Sequence, residues 1–338
     1  MLALNIAWDN TLLWTWKKAI NGVQATMHQI TPCFGGLRKL VPRTAIIGFN
    51  HVPTRTSWDI SVKKALQIIK GRNSELVKVV LARCSRYVTD TSIDPVSLLA
   101  CLQQVEGQNA YQFFIQPPDA PAFIGNTPEK LFHRKYSNIT STSPELIADS
   151  KPGSSLKTFH KKIKHSTKDN NEFTIVRESI RRKMEITCSE VLVEPSKALR
   201  KLPRVQHLSA ELSGKLRNED DEFDILTSLH PSPAVCGLPT EEARRFIEEI
   251  EMFDRGMYAG PVGWFGGRES EFAVGIRSAL VGKGVGTLVY AGAGIVEGTN
   301  SSLEWDELDL KASQFTKLFE RKEVPDACYQ EMNMGSAN

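Results

Sequence analysis

A lysine within an apolar stretch is the first residue whose position raises a chemical question. Lys78 stands in ELVKVVLAR, and the alternation of a strand would place it on one face with Val80 and Ala82. A surface strand would carry a polar row on that face, whereas here the ammonium group has apolar neighbours. The pattern predicts a strand and leaves the purpose of its lysine open.

Four glutamates stand where a carboxylate could act on a ligand. Glu129, in IGNTPEKLF, follows a proline at the end of an apolar strand, although a surface turn would look the same. Glu172 precedes the apolar stripe of a predicted helix, so it fits a structural role or a ligand role equally well. Glu304 and Glu307 share one helix face, either as first-turn partners of the helix dipole or as oxygen ligands for Mg²⁺.

Cationic and glycine positions complete the set of candidate site residues. Arg277, in EFAVGIRSALV, shares its predicted strand face with small residues, which would leave room for a carboxylate that arginine grips bidentately. Gly292 and Gly294, in YAGAGIV, are expected just after a strand, where bare amides can approach an anion, although a tight turn is the commoner explanation. Lys311 lies one turn beyond Glu307, where a lysine is more often a salt-bridge partner than a ligand.

Hydrophobic periodicity predicts the elements that would position these residues. Helices are expected at 59–70, from Asp94-Pro95 onward, at 168–185, at 240–252 and at 304–320, and strands at 77–83, 111–116, 121–125, 271–281 and 287–296. The basic stretch 150–168 fits a solvated loop or an anion-binding loop. No repeat and no long linker imposes a domain boundary.

Composition excludes several classes of protein. The chain has 338 residues, a formal charge of +3, 41% hydrophobic and 24% charged residues, which is typical of a soluble globular protein. So mild a charge does not call for nucleic acid, and binding through the 151–168 lysines is disfavoured. No run is long enough to cross a bilayer, and no leader peptide is visible. The scattered cysteines favour reduced thiols over a zinc site.

An ordered set of motifs in this chain resembles the chorismate-utilising enzymes, and most closely the isochorismate synthases of plants. The matching stretches are KVVLAR (78–83), IGNTPEKLF (124–132), KDNNEF (168–173), VQHLSAELSGKL (205–216), LHPSPAVCGLP (229–239), FDRGMYAGPVGWFGG (253–267), GIRSAL (275–280), YAGAGIV (290–296) and EWDELDLK (304–311). Relatives that use ammonia to make anthranilate generally lack a lysine at the position of Lys78. Its presence favours water as the nucleophile, although salicylate-forming relatives keep it too.

The resemblance implies a layered α+β fold in which antiparallel sheets, flanked by helices, enclose one buried site. A single chorismate-binding domain would cover residues 1–320 and leave 321–338 as a tail. The implied activity is Mg²⁺-dependent isomerisation of chorismate, in which water adds at C2 and the C4 hydroxyl leaves. The product would enter salicylate, phylloquinone or menaquinone synthesis, and the sequence does not distinguish these pathways. The expected protein is a plastid monomer whose partner is its small-molecule substrate, without nucleic acid or membrane.

The resemblance also implies a role for each candidate residue. By analogy, Lys78 is the base and Glu129 the acid, which requires a neutral amine and a protonated carboxyl, the forms that burial favours. The remaining roles are metal binding by Glu172 and Glu307 with Glu304 beside them, carboxylate binding by Arg277, Lys311, Gly292 and Gly294, and support of the pocket by His207, His230 and Ser150.

Two departures from the family pattern leave an alternative open. A family loop resembling AGTRPRG corresponds here to IADSKPGS, residues 147–154, in which Asp149 falls where a small residue lets an amide meet a substrate carboxylate. A carboxylate beside a carboxylate costs affinity unless it is paired or turned away. The chain also begins where family members are already well into their N-terminal half. The alternative is an impaired paralogue that keeps the fold and binds chorismate or a partner chain.

Overall fold

A computed structural model describes residues 16–37, 44–106, 110–147, 167–194, 198–201, 206–218, 222–282 and 284–321. Its helices are α1 (Trp16–Leu37), α2 (Arg55–Ile69), α3 (Pro95–Glu106), α4 (Thr167–Thr187), α5 (Glu222–Leu229), α6 (Thr240–Ile250) and α7 (Ser301–Thr316). None of these described helices is long and apolar enough to cross a membrane.

The strands occur singly or in consecutive runs between these helices. They are β1 (Ala45–Val52), β2 (Lys78–Thr89), β3 (Tyr111–Ile115), β4 (Ala122–Thr127), β5 (Lys130–Lys135), β6 (Asn138–Ile147), β7 (Cys188–Val193), β8 (Ala198–Lys201), β9 (Gln206–Leu216), β10 (Gly237–Leu238), β11 (Pro261–Gly266), β12 (Glu269–Val274), β13 (Ser278–Gly282), β14 (Gly286–Ile295) and β15 (Glu320–Arg321).

The strands form two sheets. The first has the order β15-β1-β2-β14-β13-β4-β3, with β10 also paired to β2. The second has the order β11-β12-β5-β6-β9-β7, with β8 also paired to β9. All the described pairs are antiparallel except β1 with β15.

The two faces of β2 belong to different cores. Ala82 and Cys84 join a core that includes Phe132 of β5, Val176 of α4 and Tyr290 of β14, so both sheets and α4 meet on this face. On the opposite face, Leu81 and Ala291 pack with α2 and α7 through Trp58 and Leu308. Antiparallel sheets flanked by helices confirm the expected α+β class.

The prediction of one continuous strand over residues 271–281 is wrong. The chain leaves the second sheet at Val274 and enters the first at Ser278, and Arg277 in the connection has a φ of 52°. A left-handed backbone at a non-glycine residue interrupts a strand, so Arg277 does not share a strand face with Ala273 and Ala279. The alternating apolar residues concealed this change of sheet. Helix α1 was also not expected.

Candidate active site

The predicted base lies beside a predicted metal ligand. Lys78 is the first residue of β2, and its side chain is only 1% exposed. Its Nζ atom lies 2.6 Å from Oε1 of Glu172, which belongs to the second turn of α4 and is also buried. The apolar stripe of α4 directs this end of the helix into the core, and the ion pair joins the first sheet to α4.

Gly294 leaves the space that the Glu172 carboxylate occupies. A Cβ atom at this position would fall 1.8 Å from Glu172 Oε1 and 3.1 Å from Lys78 Cε. The glycine pairs with Val80 of β2 and lies within β14. The expected strand over 287–296 is thus confirmed, and the placement of Gly294 just after a strand is wrong. A glycine is needed here because the backbones of β2 and β14 and the Glu172 carboxylate approach one another closely. No turn is involved.

The glycine two positions earlier has a similar role. A Cβ at Gly292 would fall 2.8 Å from the hydroxyl of Tyr258, and the Gly292 carbonyl accepts a hydrogen bond of 2.7 Å from Lys311 Nζ. The prediction that Gly292 follows a strand is also wrong, because it too lies within β14. Strand β13 accompanies β14 only as far as Tyr290, so β14 continues past the end of its neighbour.

Helix α7 brings two acids and a lysine to the same end of β14. Glu304 is buried, and Glu307 Oε1 lies 2.5 Å from Lys311 Nζ. The helix starts at a well-formed N-cap, where the Asn300 side chain accepts hydrogen bonds from the backbone amides of Ser302 and Leu303. The cap fixes the turn that carries Glu304.

Glu129 stands where the chain passes from one sheet to the other. It lies between β4 and β5, is buried, and its carbonyl accepts a hydrogen bond from the Val274 amide. Burial raises the pKa of the Glu129 carboxyl to about 7, although the positive charges of Lys78, Lys311 and Arg277 act in the opposite direction. A carboxyl with this pKa is about half protonated at pH 7, so a large fraction of molecules hold a proton that Glu129 can donate.

Two further polar groups approach Glu129. Arg277 is buried at the corner between β12 and β13, and Tyr258 is buried with its ring stacked on Tyr290 at 5.3 Å between centroids. Burial raises the pKa of Tyr258, the Arg277 charge lowers it and Glu129 raises it, so the three groups interact. Tyr258 was missed as a candidate although it stands in FDRGMYAGPVGWFGG, because nothing in the sequence places it against Gly292.

Of the three residues predicted to support the pocket, only His230 has a described side chain, and it lies elsewhere. His230 lines a different cleft of about 750 Å³, whose walls from α4, α5 and α6 include none of the other predicted site residues. Burial and the charges of Lys183 and Arg244 lower its pKa to about 4. His207 belongs to β9, where its backbone pairs with Leu146. Ser150 and most of the 147–154 loop lie outside the described residues, so these roles stay predictions.

The carboxylates on α4 and α7 do not form a closed cation site. Within the described residues no three His, Cys, Asp or Glu side chains come together as metal ligands. Glu172 and Glu307 each contact a lysine. Both nevertheless offer oxygen, and Mg²⁺ usually takes one or two protein carboxylates with water and substrate oxygens completing its shell. The donor types therefore fit Mg²⁺ in an open site.

Comparison with known proteins identifies the family. The family model described as chorismate binding enzyme matches residues 16–320. The chain belongs to the chorismate-binding enzyme family. Among family members it is 56% identical over 326 residues to isochorismate synthase 2, chloroplastic, of Arabidopsis thaliana, with coverage of 95% of this chain and 57% of that protein.

Two further isochorismate synthases of the chorismate-binding family are similar to this chain over most of its length. Isochorismate synthase, chloroplastic, of Catharanthus roseus is 52% identical over 322 residues, which cover 94% of this chain and 55% of that protein. MenF, the menaquinone-specific isochorismate synthase of Escherichia coli, is 30% identical with a TM-score of 0.74, over 82% of this chain and 64% of that one. The chain thus spans just over half the length of its plant relatives.

Proposed function

We propose that this protein is an isochorismate synthase, an isomerase that converts chorismate to isochorismate. The observation that carries the proposal is a buried lysine and a buried carboxyl with a pKa of about 7 in one site, each next to further charged groups. A reaction that adds water at one carbon and expels a hydroxyl at another needs a base and an acid of this kind. The plant relatives' names support the same activity.

In the proposed reaction Lys78 takes a proton from the attacking water, whose oxygen bonds to C2 of the ring. The ring double bonds shift, the C4–O bond breaks, and Glu129 gives its proton to the departing hydroxyl, which leaves as water. One water enters and one leaves, so the substrate is isomerised without net oxidation or hydrolysis. An ammonium group has no lone pair, so Lys78 must give up a proton, and with it the charge that holds Glu172, before it can act as a base.

The substrate carries two carboxylates, and the cationic groups around Glu129 suit them. Arg277 would bind one carboxylate with its planar guanidinium group, and Tyr258, which interacts electrostatically with Arg277, would assist. Lys311 and the backbone of β14 beyond Tyr290 would bind oxygens from the other side. Mg²⁺, when bound by Glu172 and Glu307 with Glu304 beside them, would neutralise the ring carboxylate.

The remaining expectations belong to the same proposal. Plastid localisation is supported by the chloroplastic relatives, and the product would enter salicylate, phylloquinone or menaquinone synthesis. The protein would act as a monomer on a small-molecule substrate.

A turnover assay tests the proposal. Purified protein with Mg²⁺ should convert chorismate to isochorismate, and Lys78→Ala and Glu129→Ala should each abolish conversion. Lys64→Ala is a matched control, because Lys64 forms an exposed pair with Glu249 and should keep full activity. Robust turnover by either active-site variant would overturn the assigned roles.

The impaired paralogue remains the second candidate, because Asp149 interrupts a loop that meets a substrate carboxylate in the family. It predicts that chorismate or Mg²⁺ binds without turnover. Replacing residues 147–154 with a family-like loop should then restore activity. Turnover by the unaltered chain excludes this candidate.

A further inference from the structure

A buried arginine on the strand of the catalytic lysine has no role in the chemistry proposed above. Arg83 lies on the opposite face of β2 from Lys78, and its side chain is 0% exposed. Its Nη2 atom donates a hydrogen bond of 2.7 Å to Asp309 Oδ1 on α7. Its guanidinium carbon also lies 4.4 Å from the centre of the Trp305 ring, a cation–π contact to the same helix.

Stability alone does not account for this contact. Among the described residues, Nε and Nη1 of Arg83 have no hydrogen-bond partner, and Asp309 is 55% exposed. A buried charge with one carboxylate partner recovers only part of its desolvation cost, so such a pair contributes little net stability. What the pair does provide is a fixed, directional link between β2 and α7.

The geometry of α7 makes that link relevant to the active site. Successive helical residues are rotated by about 100°, and the buried line Leu308, Ala312 and Phe315 packs on the first sheet. Trp305 and Asp309 lie on one flank of this line. The opposite flank carries Glu304, Glu307 and Lys311. The contact at Asp309 therefore fixes the rotation of α7 about its own axis. That rotation sets the direction in which the acids and the lysine on the opposite flank point.

The same strand also holds the base. Lys78 precedes Arg83 by five residues of β2, about 17 Å along the strand. One rigid strand thus positions the Lys78–Glu172 pair directly and the carboxylate flank of α7 through Arg83. His51 of β1 adds to this contact, because its ring meets the Trp305 ring edge-on at 5.6 Å and its Nδ1 is bonded to Ser85.

We propose that Arg83 is a positioning residue, which sets the rotation of α7 through Asp309 and Trp305 and so aligns Glu304, Glu307 and Lys311 with the Lys78–Glu172 pair. The inference rests on the proposed isochorismate synthase site. It assigns Arg83 no contact with substrate or metal.

Asp309→Asn is the decisive variant, because it removes the charge of an exposed partner and leaves the buried arginine in place. Glu222→Gln is its matched control. Glu222 pairs with Arg134, another buried arginine, but on α5 and β5. Arg83→Lys keeps the charge and loses the planar fork.

Three measurements separate positioning from loss of stability. In Asp309→Asn and Arg83→Lys we expect the Kd for Mg²⁺, measured by calorimetry, and the KM for chorismate to rise about three- to tenfold, as expected for a shift of groups that bind ligand. Hydrogen exchange should quicken in α7 but not in α4. Glu222→Gln should lower the melting temperature without changing either constant.

Two results would overturn the inference in different ways. If the wild type binds Mg²⁺ and turns over chorismate, but Asp309→Asn matches Glu222→Gln in affinity and in α7 exchange, Arg83 is structural only. If the wild type neither binds Mg²⁺ nor turns over chorismate, the proposed function fails and the inference fails with it. Unchanged α7 exchange in both Asp309→Asn and Arg83→Lys excludes positioning whatever the activity.

Discussion

Glu129 carries an ordinary carboxyl group, and its surroundings give that group the raised pKa that its proposed role as an acid requires. Three positive charges stabilise its ionised form, yet burial has the larger effect and raises its pKa to about 7. The carboxyl therefore keeps its proton in the pH range in which an exposed glutamate has lost it. Deeply buried carboxyls next to a reactive centre commonly show shifts of this kind.

The rate should follow the protonation of Glu129. Because only the protonated carboxyl can donate to the leaving hydroxyl, kcat/KM for chorismate should fall as pH rises through about 7. A kcat/KM profile measured between pH 5.5 and 9 tests this. A profile that stays flat across pH 7 would contradict the assignment of Glu129 as the acid.

Stability should respond to the same group. The folded pKa lies above the usual 4.5, so the folded state holds a proton that the unfolded state has released between these values. The free energy of unfolding therefore falls as pH rises from about 4.5 to 7, by up to about 3 kcal/mol for this group. Glu129→Gln has no carboxyl to titrate and therefore lacks this loss. In urea unfolding, the free energy of unfolding of Glu129→Gln minus that of the wild type should increase from about pH 4.5 to 7 and stay constant at higher pH.

Gly294 is the residue where a single methyl group should be most damaging. A Cβ there would overlap Glu172 Oε1, so Gly294→Ala should displace the carboxylate from Lys78 and weaken Mg²⁺ binding at least tenfold in calorimetry. Gly266→Ala is the matched control, since a Cβ at that position meets no atom within 4 Å. Unchanged Mg²⁺ affinity in Gly294→Ala would remove Glu172 from the proposed ligand set.

How far these residues could be predicted depends on how local their signal is. Lys78 was visible because it breaks the apolar alternation of one strand. Glu129 alone resembled a surface turn acid, and only the surrounding motif indicated its role. The need for Gly294 depends on a carboxylate more than 100 positions away in the chain, and no local pattern reports that contact.

At the scale of elements, α7 depends on its first turn. The Asn300 side chain satisfies the amides of Ser302 and Leu303, and removal of an N-cap of this type costs about 1 kcal/mol. Asn300→Ala should therefore lower stability by about that amount and weaken Mg²⁺ binding, because the turn holding Glu304 frays.

Helix α2 offers the control for this prediction. Thr54 caps α2 by accepting a hydrogen bond from the Ser57 amide, and α2 carries no proposed ligand. Thr54→Ala should cost a similar free energy of unfolding in urea titration and leave the Mg²⁺ Kd unchanged. Equal effects of both variants on Mg²⁺ affinity would show that the cap of α7 has no specific link to the site.

Periodicity predicted the long amphipathic elements and failed where chain direction changes without a change of composition. Helices α2, α4 and α6 lie close to their expected positions because each has an apolar stripe along one face. The stretch 271–281 alternates apolar and small residues throughout, so the corner at Arg277 left no trace in the pattern. Helix α5 has only eight residues, too few for its period to stand out.

At the scale of the whole molecule, the candidate site is where the two sheets, α4 and α7 meet. Lys78 and Gly294 come from the first sheet, Glu172 from α4, Glu304 and Glu307 from α7, and Glu129 and Arg277 from two of the connections between the sheets. Ligands bound across these elements require all of them to be in place. Binding is therefore coupled to the folding of both sheets together.

This coupling predicts how ligands change thermal unfolding. A ligand present at 100 times its Kd stabilises the folded state by about 2.7 kcal/mol. At an unfolding entropy of about 2.1 cal/mol/K per residue, this corresponds to a rise in Tm of about 4 °C for a chain of 338 residues. Calorimetric scans with Mg²⁺ and chorismate together should show one transition shifted by this amount. Glu307→Gln should lose most of the shift, because it removes a carboxylate from α7, while Glu249→Gln, on the exposed pair with Lys64, should keep it. If the scan separated into two transitions of which only one moved, the site would belong to a single sheet, and the corner residues Glu129 and Arg277 would have to act from outside it.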